Sequence, residues 1–219
     1  MAACPVSGLL RRRARPLERA WARVFREAGA RVVENMFLRD TNLPDIAVTD
    51  GRRLEVVALG LSVEQGVPLG CDATLVSPLH ADGSVWAGAD EECGVALRRG
   101  EADKRATYPE LVGSDRLRLM VLACEVGGRW SSTCVRLVRQ LAGAKARSAP
   151  APLRASAAQA WRARWWGLLS VAAQGAFAAT LAEDAVLALE GMDGPPPVLA
   201  DVLLDAGAPP PISRLPARG

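Results

Sequence analysis

Short strand-like runs alternate with helical periodicities along residues 16–146, and this alternation restricts the fold more than any other feature. Residues 16–28 repeat apolar side chains at three- and four-residue steps, which predicts an amphipathic helix that starts at Pro16 and stops at Gly29. Further along, we predict strands over 31–38, 46–48, 54–59, 72–79 and 117–124, and helices over 101–112 and 131–146. This order predicts a mixed α/β fold in which helices cover a small central sheet.

The flanking regions differ from this core in composition. Residues 149–152 alternate Ala and Pro as a hinge, and 153–189 is an Ala-rich helical region. The end of the chain is rich in Pro, Gly and Ala without periodicity, which predicts disorder. The predicted organisation is a basic arm over 1–15, an α/β domain over 16–147, a helical extension over 148–190 and a disordered tail over 191–219.

Cysteine usage and hydropathy indicate an intracellular protein. The five cysteines form no closely spaced pair and only one histidine is present, so we expect reduced thiols and no structural zinc. The stretch 165–182 carries no charge, but Ala and Gly supply much of its apolarity and Gln174 interrupts it. We therefore predict a buried or partner-packing helix there and no stable association with a membrane.

Arginines crowd the first predicted helix and the residues before it. This pattern suits a polyanion such as nucleic acid, although a solvated helix face explains it equally well. The candidate phosphate-binding residues are Arg11, Arg12, Arg13, Arg19 and Arg23.

Two aspartates precede strand-like runs, and a lysine stands in the helix predicted after them. Asp45 follows Pro44, Asp72 leads into an apolar strand, and Lys104 is one of only two lysines in the chain. Hydrolysis of a phosphodiester requires a divalent metal held by carboxylates and a positive group that compensates transition-state charge. If the strands that follow Asp45 and Asp72 pair, the three side chains meet at one sheet edge.

Each of these residues also has a structural interpretation. Pro44-Asp45 is a common turn pair, and Lys104 lies in a charged segment typical of a solvated helix face. Glu55 is either a further acid of the site or an ion-pair partner of Arg52 or Arg53. Asp72 is the hardest to explain structurally, because a carboxylate within an apolar strand is costly unless it is paired or binds a metal.

The series Pro44-Asp45, Asp72-Ala73-Thr74 and Lys104 just before Tyr108 resembles the PD-(D/E)XK, or restriction-endonuclease-like, superfamily. It is most similar to the variant found after the reverse transcriptase of some non-LTR retrotransposons. In that variant the lysine comes from the next helix, so Lys104 would replace the strand lysine expected at Thr74. The resemblance implies catalysis by Asp45, Asp72 and Lys104, with Mg²⁺ (or Mn²⁺) bound by Asp45, Asp72 and Glu55.

The same resemblance implies the biological setting. The chain would be the C-terminal part of a retroelement polyprotein, with DNA as substrate and an upstream reverse transcriptase as partner. An enzyme active on genomic DNA would work in the nucleus. Two other hypotheses stay open: an inactive nucleic-acid-binding remnant, and a helical interaction module whose segment 165–189 packs on a partner or membrane.

Overall fold

The computed structural model describes residues 7–44, 46–80, 82–181 and 194–207, and within them the side chains of residues 15–179 and 194–207. The described residues form five helices and four strands in a mixed α/β arrangement. In chain order these are α1 (Ser7–Ala28), β1 (Arg31–Phe37), β2 (Arg53–Leu59), β3 (Leu69–Val76), α2 (Val95–Thr107), β4 (Arg118–Glu125), α3 (Ser132–Ala146), α4 (Arg154–Leu181) and α5 (Leu199–Gly207).

The four strands form one sheet in the order β1-β2-β3-β4. The first two pairings are antiparallel, with Val33 opposite Val57 and Val57 opposite Gly70. Strands β3 and β4 are parallel, with Asp72 opposite Val121, and α2 makes the crossover between them. The predicted mixed α/β class is therefore confirmed.

Helices cover both faces of the sheet. The larger core joins one face to α1, α3 and α4, and its largest fully buried side chains include Trp21, Phe25 and Trp165. On the other face, Leu97 of α2 packs against Val121 and Ala123 of β4. Asp72 and Lys104, the centre of the site, lie on this second face under α2.

The first helix is longer than predicted. It begins at Ser7, so residues 7–15 are helical and Pro16 lies inside the helix. A proline inside a helix costs about 3 kcal/mol because it removes a backbone hydrogen bond and clashes with the preceding turn. Burial of Leu17, Trp21 and Phe25 offsets this cost, and Gly29 follows the helix with a positive φ of 103°, as predicted.

The predicted strand over 46–48 was wrong. These residues belong to the connection before β2, and β2 pairs with β1 instead. Ile46 packs against the cluster that contains Leu38 and Leu54, which explains its apolar side chain without a strand. Strand β3 also begins three residues earlier than predicted and ends before Pro78.

The predicted helix over 101–112 is displaced toward the N-terminus. Helix α2 starts at Val95 and ends at Thr107, and Pro109 begins a separate 3-10 turn. Proline cannot continue the helix, so the segment splits at Tyr108. Strand β4 and helix α3 match their predictions within one residue, and Ser131 caps α3 by accepting a hydrogen bond from the backbone N–H of Cys134.

The C-terminal region was only partly anticipated. Helix α4 confirms the Ala-rich helix as far as Leu181, whereas residues 182–193 and 208–219 lie outside the described part. The prediction of disorder was wrong for 199–207, which form α5 and pack on α4. A short amphipathic helix therefore lies within a region whose overall composition, rich in Pro, Gly and Ala, predicted disorder.

Helix α4 packs one face of its side chains into the larger core. Trp161, Trp165 and Leu169 are each at most 2% exposed, in contact with the larger core. Among the described residues, no helix has the length and apolarity that crossing a membrane requires. The hypothesis of a helical interaction module stays a prediction, because much of 165–189 beyond Leu181 lies outside the described residues.

Candidate functional site

Asp72 and Lys104 form a buried ion pair between β3 and α2. Asp72 is 2% exposed, and the Lys104 Nζ lies 2.7 Å from its Oδ1 and 2.9 Å from its Oδ2. Close packing of α2 on β3 brings them together. A Cβ on Gly100 would lie 2.7 Å from Val76 Cγ1, so only glycine permits this approach, and Lys104 lies one helical turn further along.

The Asp72 carboxylate is contacted at both of its oxygens. The Lys104 Nζ donates a hydrogen bond to Oδ2 and lies closer still to Oδ1. The Tyr108 hydroxyl also hydrogen-bonds this carboxylate. A carboxylate has about four lone-pair sites, so Asp72 can bind a metal ion when these partners rearrange.

Glu55 faces Asp72 where β2 and β3 separate. Their antiparallel pairing ends at Val56 and Cys71, so Glu55 and Asp72 would be the next pair. Instead, Glu55 Oε2 accepts a hydrogen bond from the backbone N–H of Ala73. Burial, together with the negative charges of Asp72 and Glu18, raises the pKa of Glu55 to about 8.

Arg52 is not the ion-pair partner of Glu55. The Arg52 guanidinium lies 2.7 Å from Asp50 and 2.6 Å from Glu110 and binds both of these carboxylates. These contacts fix the chain before β2 against the turn that follows α2. Arg52 thus helps to hold the two elements that carry Glu55 and Lys104.

Two residues of the site escaped the sequence analysis as functional candidates. Glu18 of α1 has a pKa raised by burial, and Asp72 adds to this although Arg53 and Arg15 oppose it. The Tyr108 hydroxyl donates to the Arg53 carbonyl at 2.9 Å, and burial, the charge of Asp72 and a hydrogen bond with Asp72 raise its pKa strongly. Two features of the sequence could have indicated them: Glu18 stands among arginines, and Tyr108 is the only tyrosine and follows Lys104 by four residues.

The position of Asp45 is not tested, because this residue lies outside the described part of the chain. Residues 46–48 form no strand, which removes the strand pairing that was expected to bring Asp45 beside Asp72. Of the predicted site residues, the structure brings together Asp72, Lys104 and Glu55.

No protein-family model and no curated protein matches this chain.

The described residues offer two neighbouring carboxylates to a metal. No group of three or more His, Cys, Asp or Glu side chains suited to a metal occurs in the described part of the chain. Mg²⁺ binds proteins through as few as one or two carboxylates and keeps water on its other positions. The carboxylates of Asp72 and of the neighbouring Glu55 fit such a site.

The predicted phosphate-binding arginines differ in their surroundings. Arg23 is 6% exposed; it donates to Glu27 at 2.6 Å and to the backbone carbonyls of Gly194 and Pro195. This guanidinium stabilises the interior and is not placed for a phosphate, which corrects that assignment. Arg19 is exposed, and the side chains of Arg11, Arg12 and Arg13 lie outside the described part.

Proposed function

We propose that this protein is a metal-dependent endonuclease that hydrolyses phosphodiester bonds of DNA. The single observation that carries the proposal is the buried carboxylate of Asp72, which Lys104 from the following helix contacts at both oxygens. Buried acids with unusual environments at one point of a fold are typical of functional sites. Tertiary contacts bring together residues that are 32 positions apart.

Sequence and fold support the same class. The resemblance implies an acid on a strand and a lysine on the helix that follows it, and Asp72 and Lys104 have this relation. It also implies a small mixed sheet flanked by helices, in agreement with the four-stranded mixed sheet. A retroelement origin and an upstream reverse transcriptase partner rest on the sequence resemblance alone.

Each side chain has a separate role in the proposed reaction. Asp72 and Glu55 would hold Mg²⁺ or Mn²⁺, and the bound ion would supply Lewis acidity and lower the pKa of a water molecule. Lys104 donates hydrogen bonds to a phosphate oxygen and compensates the charge that develops there. Tyr108 remains a neutral hydrogen-bond donor to Arg53, two residues before Glu55, and so positions the start of β2.

Arginines close to the acidic residues of the site favour a polyanionic substrate. Burial raises the pKa of Glu18, and Arg53 and Arg15 lie close enough to oppose this rise; Arg15 is exposed. Cations next to a carboxylate site attract phosphates and reduce the repulsion between substrate and acids. The arginines in the first turns of α1 extend the positive character in sequence.

Cleavage of supercoiled plasmid with Mg²⁺ tests the proposal. We expect nicking by the wild-type protein and a loss of at least about 100-fold in rate for Asp72→Asn and for Lys104→Met, because each removes a group that acts on the transition state. Asp103→Asn is the matched control, since Asp103 is an exposed acid on α2 beside Lys104. The control is expected to cleave at the wild-type rate.

The outcomes separate the hypotheses. Equal nicking by wild type, Asp72→Asn and Lys104→Met would refute this assignment of the site. Salt-sensitive DNA binding without cleavage, and without stabilisation by Mg²⁺, would favour the nucleic-acid-binding remnant. Thermal melting of each variant identifies any loss of activity that is due to unfolding.

A further inference from the structure

Lys104 occupies the place beside Asp72 that a metal would need. Its ammonium lies within 3 Å of both oxygens of the carboxylate. A divalent cation such as Mg²⁺ binds carboxylate oxygens at about 2.1 Å, so it approaches the same lone pairs. The two cations cannot share Asp72 without strong repulsion.

We infer that Lys104 is a built-in competitor of the metal: it neutralises Asp72 in the metal-free protein and is displaced when a divalent cation binds. This inference rests on the proposed function and adds a coupling to it. Metal binding would release the ammonium from Asp72 and make it available to the phosphate of the substrate. Lys104 would thus reach its working position only when the metal is present.

The two partners differ in their freedom to move. Asp72 is held within β3 and is 2% exposed, whereas the side chain of Lys104 is 31% exposed and has a flexible four-carbon stem. When a divalent cation binds Asp72, the lysine is therefore the partner that moves. It moves toward solvent, the side from which a phosphate arrives.

Both oxygens of Asp72 take part in the exchange. Nζ lies within 3 Å of Oδ1 and of Oδ2, so a cation that binds either oxygen meets the ammonium and repels it. Glu55 lies close enough for the charge of Asp72 to raise its pKa, and it supplies a second carboxylate.

Binding of Mn²⁺, measured by electron paramagnetic resonance, tests the competition in the wild type, Lys104→Met and Arg105→Met. Methionine matches lysine in length without the charge, so we expect Lys104→Met to bind Mn²⁺ at least tenfold more tightly. Arg105 is the next residue on α2 and carries the same charge, but it is exposed and pairs with Glu101. Its variant is expected to bind Mn²⁺ within about threefold of the wild type, since exposed charges act weakly.

Thermal melting gives a second readout. Without metal, Lys104→Met leaves Asp72 buried and unpaired, so its melting temperature should fall below that of the wild type. Saturating Mn²⁺ should raise its melting temperature more than that of the wild type. Equal or weaker Mn²⁺ affinity of Lys104→Met, relative to the wild type, overturns the inference.

A measurement on the wild type covers the case in which Lys104→Met does not fold. The chain has two lysines, Lys104 and Lys145, so their ammonium signals in nitrogen-15 spectra can be assigned by substitution of Lys145. Saturating Mg²⁺ should shift the Lys104 signal toward that of a free lysine and leave Lys145 unchanged. An unchanged Lys104 signal at saturation overturns the inference.

Failure of the proposed function gives a different result. If the wild type binds no Mn²⁺, or if Asp72→Asn binds it as tightly as the wild type, the metal site itself is refuted. If Mn²⁺ binding depends on Asp72 but not on Lys104, the metal site stands and only the competition is refuted.

Discussion

Two glutamates in the interior show how surroundings separate a structural role from a chemical one. Glu27 is fully buried and accepts hydrogen bonds from Arg23, Arg164 and Trp165 at 2.6–2.9 Å. Burial alone would raise its pKa, but these donors hold the pKa below its ordinary value. Glu27 is therefore a charged anchor that joins α1 to α4.

Glu55 is the opposite case. Burial raises its pKa to about 8, and the neighbouring Asp72 and Glu18 act in the same direction. Ionisation of this group in the folded protein is unfavourable until a cation arrives. Such a cost to stability is common at sites that bind charged ligands.

Replacement of Glu55 by Gln is expected to stabilise the metal-free protein at pH 8 by roughly 1–3 kcal/mol. The folded-state pKa of Glu55 lies above the unfolded value of 4.5, so the native state keeps the proton that the unfolded chain loses. The stability that the wild type gains by keeping this proton in the native state is fully present below pH 4.5. It is lost as the pH rises toward about 8. The measurement is chemical denaturation from pH 4.5 to 8.5 with a chelator present.

The same experiment needs a control glutamate. Glu34 on β1 is about one-third exposed and pairs with Arg26, so Glu34→Gln should change the free energy of unfolding by less than about 1 kcal/mol. A wild-type protein and a Glu55→Gln variant with parallel pH profiles would contradict the assignment of Glu55 as an unfavourable buried acid.

At the scale of elements, the docking of α2 on β3 decides the geometry of the site. Helix α2 approaches closely because Gly100 faces Val76 and Thr74 without a side chain. Lys104 lies one helical turn after Gly100 and contacts Asp72. At the end of the helix, the backbone N–H of Tyr108 donates a hydrogen bond to the Lys104 carbonyl. One glycine thus sets the distance between the strand that carries the acid and the helix that carries the lysine.

Gly100→Ala is expected to destabilise the protein by about 1–3 kcal/mol, because its Cβ would meet the stiff Val76 side chain at 2.7 Å. Chemical denaturation measures the change, and Mn²⁺ affinity should change with it as Lys104 moves. Gly143→Ala in α3 is the matched control, since nothing lies within 4 Å of the added Cβ. In that open helical position, alanine should stabilise by about 0.5–1 kcal/mol. A Gly100→Ala variant as stable as the wild type would show that α2 can withdraw without cost.

Helix and strand assignments succeeded where local chemistry alone decides them. Ser131 caps α3 because its hydroxyl binds a backbone N–H three residues later, a local interaction that the sequence reveals. The start of α1 was missed because Pro16 favours the first helical position, and the end of α2 was misplaced because Pro109 begins a separate turn. Pro16 stays helical since the residues after it are packed in the core.

At the scale of the whole molecule, the C-terminal segment completes the fold. Arg23 of α1 donates to the carbonyls of Gly194 and Pro195, and α5 packs on α4 through Val202, which is 1% exposed. Leu199 and Leu203 contact the same core. Residues 194–207 are therefore part of the domain and not an appendage.

Val202→Ala should lower the free energy of unfolding by about 2 kcal/mol, because two buried methylene equivalents are lost. Leu204→Ala is the control on the same helix: Leu204 is 72% exposed, and its loss should cost less than about 0.5 kcal/mol. Equal effects of the two substitutions on denaturation would mean that α5 does not dock in solution.

The sequence by itself determined the mixed α/β class, β4, α3, most of α4, and the candidacy of Asp72 and Lys104, because periodicity and capping are encoded within a few residues. Only the tertiary structure decided that β2 pairs with β1, that α5 docks, that Arg23 is interior, and that Glu18 and Glu55 share the surroundings of Asp72. These features depend on contacts between residues far apart in the chain. Burial and charge interactions between distant residues stabilise these contacts, and no local pattern of the sequence predicts such interactions.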